Sequence, residues 1–186
     1  MKDKVIIVGA FHEVIELCED CGFEIVGIID TLPDDTFMDY PVLGTDADAK
    51  SIREIHPDSK IVISPDSPKL KQKLGDYYKS VGFSFETVVS PLARISRSAK
   101  IGEGVIIQSG VNISSAATIG RLCKLNFNVN VMHDVVIGDY SVLAANAVVL
   151  GRASVGMRTY LGANSTVMPD AVVADDTKVS PTSLID

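Results

Sequence analysis

The chain has 186 residues, 46% of them hydrophobic and 22% charged, with a formal charge of −7 at pH 7. That is an ordinary globular composition with room for one large or two small domains. The acidic balance, with no block of basic residues, argues against nucleic acid and leaves small molecules as the expected partners. The apolar run within Met1 to Ala10 is short and follows Asp3, and the three cysteines lack a framework spacing. Neither a leader, a membrane span nor a disulfide scaffold is therefore expected, and the cytoplasm is the expected location.

In chain order, Lys4 to Val8 is an apolar run that stops at Gly9-Ala10. Phe11 to Cys21 carries Val14, Ile15, Leu17, Cys18 and Cys21 on one helical stripe, and Glu24 to Asp30 is a second apolar run. This is a βαβ unit. Asp46 to Ile55 reads as a second helix, Lys60 to Ser64 as a third strand, Pro68 to Val81 as a third helix and Phe85 to Val89 as a fourth strand. The alternation predicts an α/β, Rossmann-like parallel sheet over residues 1–90, with a ligand crevice at the carboxyl ends of its strands.

Asp30 follows the second strand, 21 residues after Gly9, where a dinucleotide fold places a carboxylate for a ribose hydroxyl. A plain strand-end carboxylate is the competing reading. The run Gly9-Ala10-Phe11-His12 lacks the further glycines that let a backbone approach a pyrophosphate. His12 falls at a helix N-terminus, where anions bind, and is read either as a ligand contact or as an exposed first-turn residue. Cys18 and Cys21 form a C-x-x-C with no second pair, which favours helix packing over zinc or redox use, so no metal is expected.

Ser90-Pro91 marks a hinge into a different pattern. Every sixth residue from Ile95 to Ile185, sixteen positions in all, is Ile, Leu or Val, and small or β-branched residues such as Ala99, Cys123 and Ala147 stand two places earlier. Neither the helical period of 3.6 nor the strand period of 2 generates a strict six; a hexapeptide parallel β-helix does. Ile/Val-Gly pairs at 101–102, 119–120, 137–138 and 155–156 recur every 18 residues, which is three hexads and one coil. About five coils are predicted for an all-β domain over residues 91–186, stacked at roughly 4.8 Å.

Of three histidines, only His133 lies within the hexads. It shares its hexad phase with Arg97, Glu103, Arg121, Asp139 and Asp175, so that phase faces outward and His133 is accessible. A solvated side chain is the plain reading. Two features raise it to a candidate general base: Asp134 follows as an orienting acid, and Gly151 stands one coil further on with an unhindered backbone N–H. A base beside an amide donor is the minimum for acyl transfer through an oxyanion.

The order Val8-Gly9-Ala10, Ile28-Ile29-Asp30, Pro41-Val42-Leu43-Gly44-Thr45-Asp46, then Asn126, His133-Asp134, Val136-Ile137-Gly138-Asp139 and Tyr160-Leu161-Gly162-Ala163-Asn164-Ser165 resembles the sialic acid O-acetyltransferase and bacillosamine N-acetyltransferase family over nearly the whole chain. The resemblance implies a left-handed β-helix, although crossovers are normally right-handed. It also implies an acetyl-CoA donor, a sugar or nucleotide-sugar acceptor, and a homotrimer with active sites between adjacent β-helices. By that resemblance His133 is the general base, Asp134 its paired acid, Asn126 an acceptor contact, Gly151 the amide beside the thioester carbonyl, and Asp30 the acid of the nucleotide pocket.

Three features depart from the family. Gly9-Ala10-Phe11-His12-Glu13 replaces its usual G-x-G-G-H-G loop, Val142 stands where some relatives carry a second histidine, and Asp186 ends the chain without the segment that closes over CoA. The expected function is acetyl transfer to an amino or hydroxyl group of a sugar or nucleotide-sugar. A trimeric binding or scaffold protein with weak catalysis is the alternative. A metal-dependent β-helix lyase is rejected, because it needs three histidines on neighbouring coils.

Overall fold

The computed structural model describes residues 3–186; Met1 and Lys2, where the run read against a leader begins, lie outside the described residues. The first part is a five-stranded sheet with helices. Its elements are β1 (Lys4–Val8), α1 (His12–Asp20), β2 (Glu24–Ile29), β3 (Thr36–Phe37), β4 (Tyr40–Gly44), α2 (Ala49–Ile55), β5 (Lys60–Ile63) and α3 (Pro68–Val81). The strand order is β3-β4-β2-β1-β5, parallel except for the β3–β4 hairpin. Val5, Ile6 and Ile7 of β1 are fully buried, as a central parallel strand covered on both sides requires. Helix α3 starts at Ser67-Pro68 and stops at Gly82, whose φ of 98° is the left-handed cap that glycine adopts without a Cβ penalty.

Two strand assignments differ from the sequence expectation. The segment Tyr40–Gly44, which contains Pro41, is a strand parallel to β2. Pro41 faces the two-residue hairpin strand β3 at the sheet margin, where a missing N–H is tolerated. Phe85 to Val89 is not a fourth strand of this sheet. Phe85 makes one isolated parallel bridge to Ile61, while Val88–Val89 pairs with Ile106–Ile107 and opens the second part of the molecule. The apolar run was real, but a run this short does not carry the identity of its partner.

That second part is a triangular prism of seventeen two-residue strands from Val88–Val89 to Leu184–Ile185, in three parallel sheets. The covered face begins with Val88–Val89, the second face with Arg94–Ile95 and the third with Lys100–Ile101, and each strand pairs with the one 18 residues on. All sixteen hexad positions lie in or against one core cluster, and thirteen of them are buried. Gly102, Gly120, Gly138 and Gly156 form a ladder at the corner from the third to the covered face. A Cβ at these positions would stand 2.4–2.6 Å from a backbone nitrogen of the next coil, so the 18-residue glycine period reports how closely the coils stack.

The α/β part packs on the covered face. The outward residues Val88, Ile106, Lys124 and Val142 of that face are fully buried, and Val88 and Ile106 share a cluster with Val5, Ile7 and Val14. Leu122 and Tyr140, at the glycine-ladder corner, join the core around Leu74 and Tyr78 of α3. A Cβ on Gly75 would meet Leu122 Cδ1 at 2.5 Å, so Gly75 lets α3 approach the prism.

Candidate active site

His133 lies in the turn between Asn130–Val131 and Val136–Ile137, at the corner from the second to the third face. Its side chain is 45% exposed. The next residue, Asp134, has a φ of 58°, one of a column of left-handed residues (Ala116, Asp134, Arg152, Asp170) at 18-residue intervals along this corner. This conformation folds the Asp134 carboxylate back, and its Oδ2 lies 2.8 Å from His133 Nδ1. An ionised carboxylate can only accept, so in the neutral imidazole this contact places the proton on Nδ1 and the free lone pair on Nε2.

Nε2 is directed at Gly151, one coil further. A Cβ built on Gly151 would lie 2.6 Å from His133 Nε2 and 2.7 Å from Cε1. Gly151 has no positive φ, so its backbone would accept alanine; the imidazole of His133, which occupies the place of a side chain, is what excludes one. Among the described residues no backbone carbonyl takes the Gly151 N–H, while its carbonyl accepts from Asp170 N–H at 3.2 Å. The Arg152 N–H donates to the His133 carbonyl at 3.0 Å and locks the two coils in register. The arrangement is an oriented imidazole with an open Nε2 beside a free amide donor.

The remaining sequence candidates fall elsewhere. Asn126 is at the corner from the covered to the second face, 9% exposed, with Nδ2 donating to the Leu143 carbonyl at 3.1 Å. It does not share the His133 corner within one chain. Gly9 and Asp30 line a crevice of about 420 Å³ at the carboxyl ends of β1, β2 and β5, with Phe11, Asp46 and Ser67. There Asp30 accepts from the Ala10 N–H at 2.8 Å and the Thr31 N–H at 2.6 Å, which ties the first loop to the second strand. His12 begins α1 but packs edge-on against Phe37, 4.6 Å between centroids, and is outside the crevice lining. Cys18 is buried and its thiol is pushed up to about 12 by that burial, while Cys21 donates to the Val89 carbonyl. A further cavity, about 660 Å³ between the start of α3 and the later coils, is lined by neither His133 nor Asp30. Its Arg158 is already paired with Asp175 and Asp176.

One group at the crevice escaped the sequence reading. Lys124 reaches out of the prism, fully buried, to Asp66 at 2.6 Å, and its ammonium lies 5.4 Å from the Phe11 ring centroid. Asp66 and Phe11 both line the crevice. Behind it, Lys71 is fully buried with Nζ 2.6 Å from the Ile63 carbonyl; burial, then the charge of Lys124, lower its pKa to about 7. The available signal was a lysine standing in register between Ile106 and Val142.

The comparisons bear on the fold and the family. The bacterial transferase hexapeptide family (six repeats) matches residues 116–151, which span His133 and Gly151. No curated protein matches the chain. Among solved structures, GDP-perosamine N-acetyltransferase from Caulobacter crescentus, a histidine-to-alanine mutant in complex with CoA and GDP-perosamine, is 31% identical with a TM-score of 0.94, over 98% of this chain and 88% of that one. The acetyltransferase domain of PglB from Neisseria gonorrhoeae is 18% identical with a TM-score of 0.93, over 100% and 92% of the two chains. WeeI from Acinetobacter baumannii is 23% identical with a TM-score of 0.77, over 97% and 93%. These last two show the fold alone, and the stacked sheets fit the left-handed β-helix of such acetyltransferases. With the perosamine enzyme similar over nearly its full length, this chain belongs to the hexapeptide-repeat sugar acyltransferases and is an acetyltransferase.

Proposed function

We propose that the protein transfers an acetyl group from acetyl-CoA to an amino or hydroxyl group of a nucleotide-sugar, with His133 as general base. The observation that carries this reading is the close approach of the His133 imidazole, Nε2 foremost, to Gly151 of the next coil, an approach that the missing Cβ permits. Nε2 takes the proton from the acceptor N–H or O–H as that atom attacks the thioester carbonyl carbon. The Gly151 N–H stabilises the oxyanion, and on collapse the C–S bond breaks and the imidazolium returns its proton to the CoA thiolate. Asp134 holds the ring and its tautomer. Proton transfer of this kind is worth about 10²- to 10⁴-fold and one oxyanion donor about 10²- to 10³-fold.

Residues 1–90 act in this reading as a Rossmann-like nucleotide-sugar-binding domain and 91–186 as the acyltransferase domain, with Val88–Val89 as the seam. The relative bound to GDP-perosamine supports a nucleotide-sugar as acceptor, and its CoA complex supports the donor. The crevice sits on the covered face and His133 at the opposite corner of the prism, so a single chain cannot present a ligand from one to the other. A second copy is thus called for, and the family resemblance, which implies a homotrimer, makes the active assembly three chains, with the crevice and Asn126 of one copy serving His133 of the next. Light scattering should report three chains; a stable monomer would refute the assembly.

The test of activity is thiol release from acetyl-CoA with GDP-perosamine and a panel of nucleotide-linked amino sugars and free sugars. Turnover confined to nucleotide-linked acceptors is the expected result. A folded trimer that releases no thiol with any acceptor is instead the weakly catalytic scaffold.

A further inference from the structure

Below His133 on the same corner, the prism carries a second ordered column. The residues at 18-residue intervals are Arg97, Ser115, His133 and Gly151, so Arg97 lies two coils beneath the base and Gly151 one coil above it. At roughly 4.8 Å per coil, Arg97 is about 10 Å from His133 along the prism axis. Between them, on the second face, runs a groove of about 480 Å³ that takes in Arg94, Arg97, Asn112, Ser115 and Met132 and contains no carboxylate. Met132 immediately precedes His133, and the Ser115 carbonyl accepts the Asp134 N–H at 3.0 Å, so the groove ends at the candidate base.

The charge of the groove is unusual for this protein. Its net charge is −7, and four of its six arginines are engaged. Arg53 donates to two carbonyls, and Arg121, Arg152 and Arg158 pair with carboxylates. Arg94 and Arg97 are exposed, and among the described residues neither forms an ion pair or a side-chain hydrogen bond. Two unmatched guanidiniums on one concave surface with serine and asparagine donors suit a phosphoryl group, which arginine binds in a planar, bidentate manner. The groove's volume is that of a ligand site.

We propose that Arg94 and Arg97 form the subsite for the anomeric phosphate or diphosphate of the acceptor. This rests on the acetyl-transfer reading and deepens it, by giving the site a direction along the prism. The acetyl thioester approaches from the Gly151 side, and the acceptor lies across His133 with its sugar over Met132 and its phosphates toward Arg97. A pyranose lying across His133 directs its anomeric phosphates along the prism, and the long arginine side chains close the remaining distance.

The experiment has two arms, both on the full-length protein. In the first, inorganic pyrophosphate is titrated calorimetrically into the wild type, the R94A/R97A double variant and Asp30→Ala. Wild type and Asp30→Ala should bind alike, and the double variant should bind about tenfold or more weakly, the scale of a lost charge-assisted contact. Arg97→Lys, which keeps the charge and loses the fork, should fall between. Equal binding in the double variant, or no binding to a folded wild type at millimolar pyrophosphate, overturns the proposal.

In the second arm, the double variant should raise KM for GDP-perosamine, or for whichever nucleotide-sugar the wild type uses, with kcat and the KM for acetyl-CoA nearly unchanged. A rise confined to acetyl-CoA would assign the pair to the donor's phosphates and overturn the acceptor subsite. Arginine-dependent pyrophosphate binding in a protein that acetylates nothing keeps the anion site and removes only the acetyl-transfer reading.

Discussion

The prism and the α/β part solve the same problem, burying apolar residues, with opposite kinds of order. In the prism every coil repeats the one before it, so a residue's neighbours are found by adding 18, and Ile113, Val131 and Val149 stack as a column in one core. In the α/β part β1 pairs with β2 and with β5, which is more than fifty residues away in sequence, and only the assembled sheet brings Gly9, Asp30 and Ser67 to one crevice. The proposed roles divide along the same line. The candidate catalytic residues come from one prism corner, whereas the crevice is built from loops of separate strands. Chemistry that needs fixed spacing gains from a rigid repeat; recognition that must fit a particular ligand gains from loops.

The largest effects are expected at the corner that carries His133. His133→Ala should lower kcat by about 10²-fold or more with acetyl-CoA binding retained, and Asp134→Asn should cost less, because it disturbs the tautomer and leaves the base in place. Steady-state rates with saturating donor measure both, and near-normal turnover by His133→Ala would remove the general base from the prism. Gly151→Ala places a methyl group against the imidazole and should lower kcat by about 10²-fold while the melting temperature changes little. Loss of folding instead would make Gly151 a structural residue like the ladder glycines.

Next in size is a test of the repeat as a scaffold. Leu125→Ala removes a fully buried side chain from the prism core and should cost about 2–5 kcal/mol in denaturant unfolding. A cost well under 1 kcal/mol would mean that the coils collapse around the cavity and are less rigid than the column geometry requires. In the α/β part, Asp30→Ala frees the Ala10 and Thr31 amides and should raise KM for a nucleotide-sugar with little change in kcat. A free sugar acceptor should be indifferent to it. Calorimetry with uridine or guanosine diphosphate, wild type against Asp30→Ala, checks the crevice, and equal affinity in the two, or no heat from a folded protein, would exclude it as the nucleotide site.

The smallest effect concerns the seam. Burial lowers the Lys71 pKa from 10.5 to about 7, so between these values the unfolded chain binds more protons than the folded one. Lys71 therefore makes stability rise with pH across that window, and its penalty is fully present below about 7. Lys71→Met should raise the melting temperature at neutral pH and flatten its rise toward pH 10. An unchanged slope would mean that Lys71 is solvated in the folded protein.

The sequence alone determined whatever follows from local repetition. The six-residue period placed all sixteen core positions, the 18-residue glycine period gave the length of a coil, and adding 18 to His133 found Gly151 as its neighbour. Helix α3 was legible to its ends because Ser67-Pro68 and Gly82 are backbone signals. The tertiary structure decided what depends on partners distant in sequence. Val88–Val89 left the α/β sheet because the prism offered it Ile106–Ile107, and Tyr40–Gly44 became a strand because β2 had a free edge. Lys124 was drawn inside because Asp66 waited on the other part of the chain, and His133 and the crevice came to lie on opposite sides of the prism. A period encodes a residue's own coil, and each of these outcomes was fixed by which surface a segment met once the chain had folded.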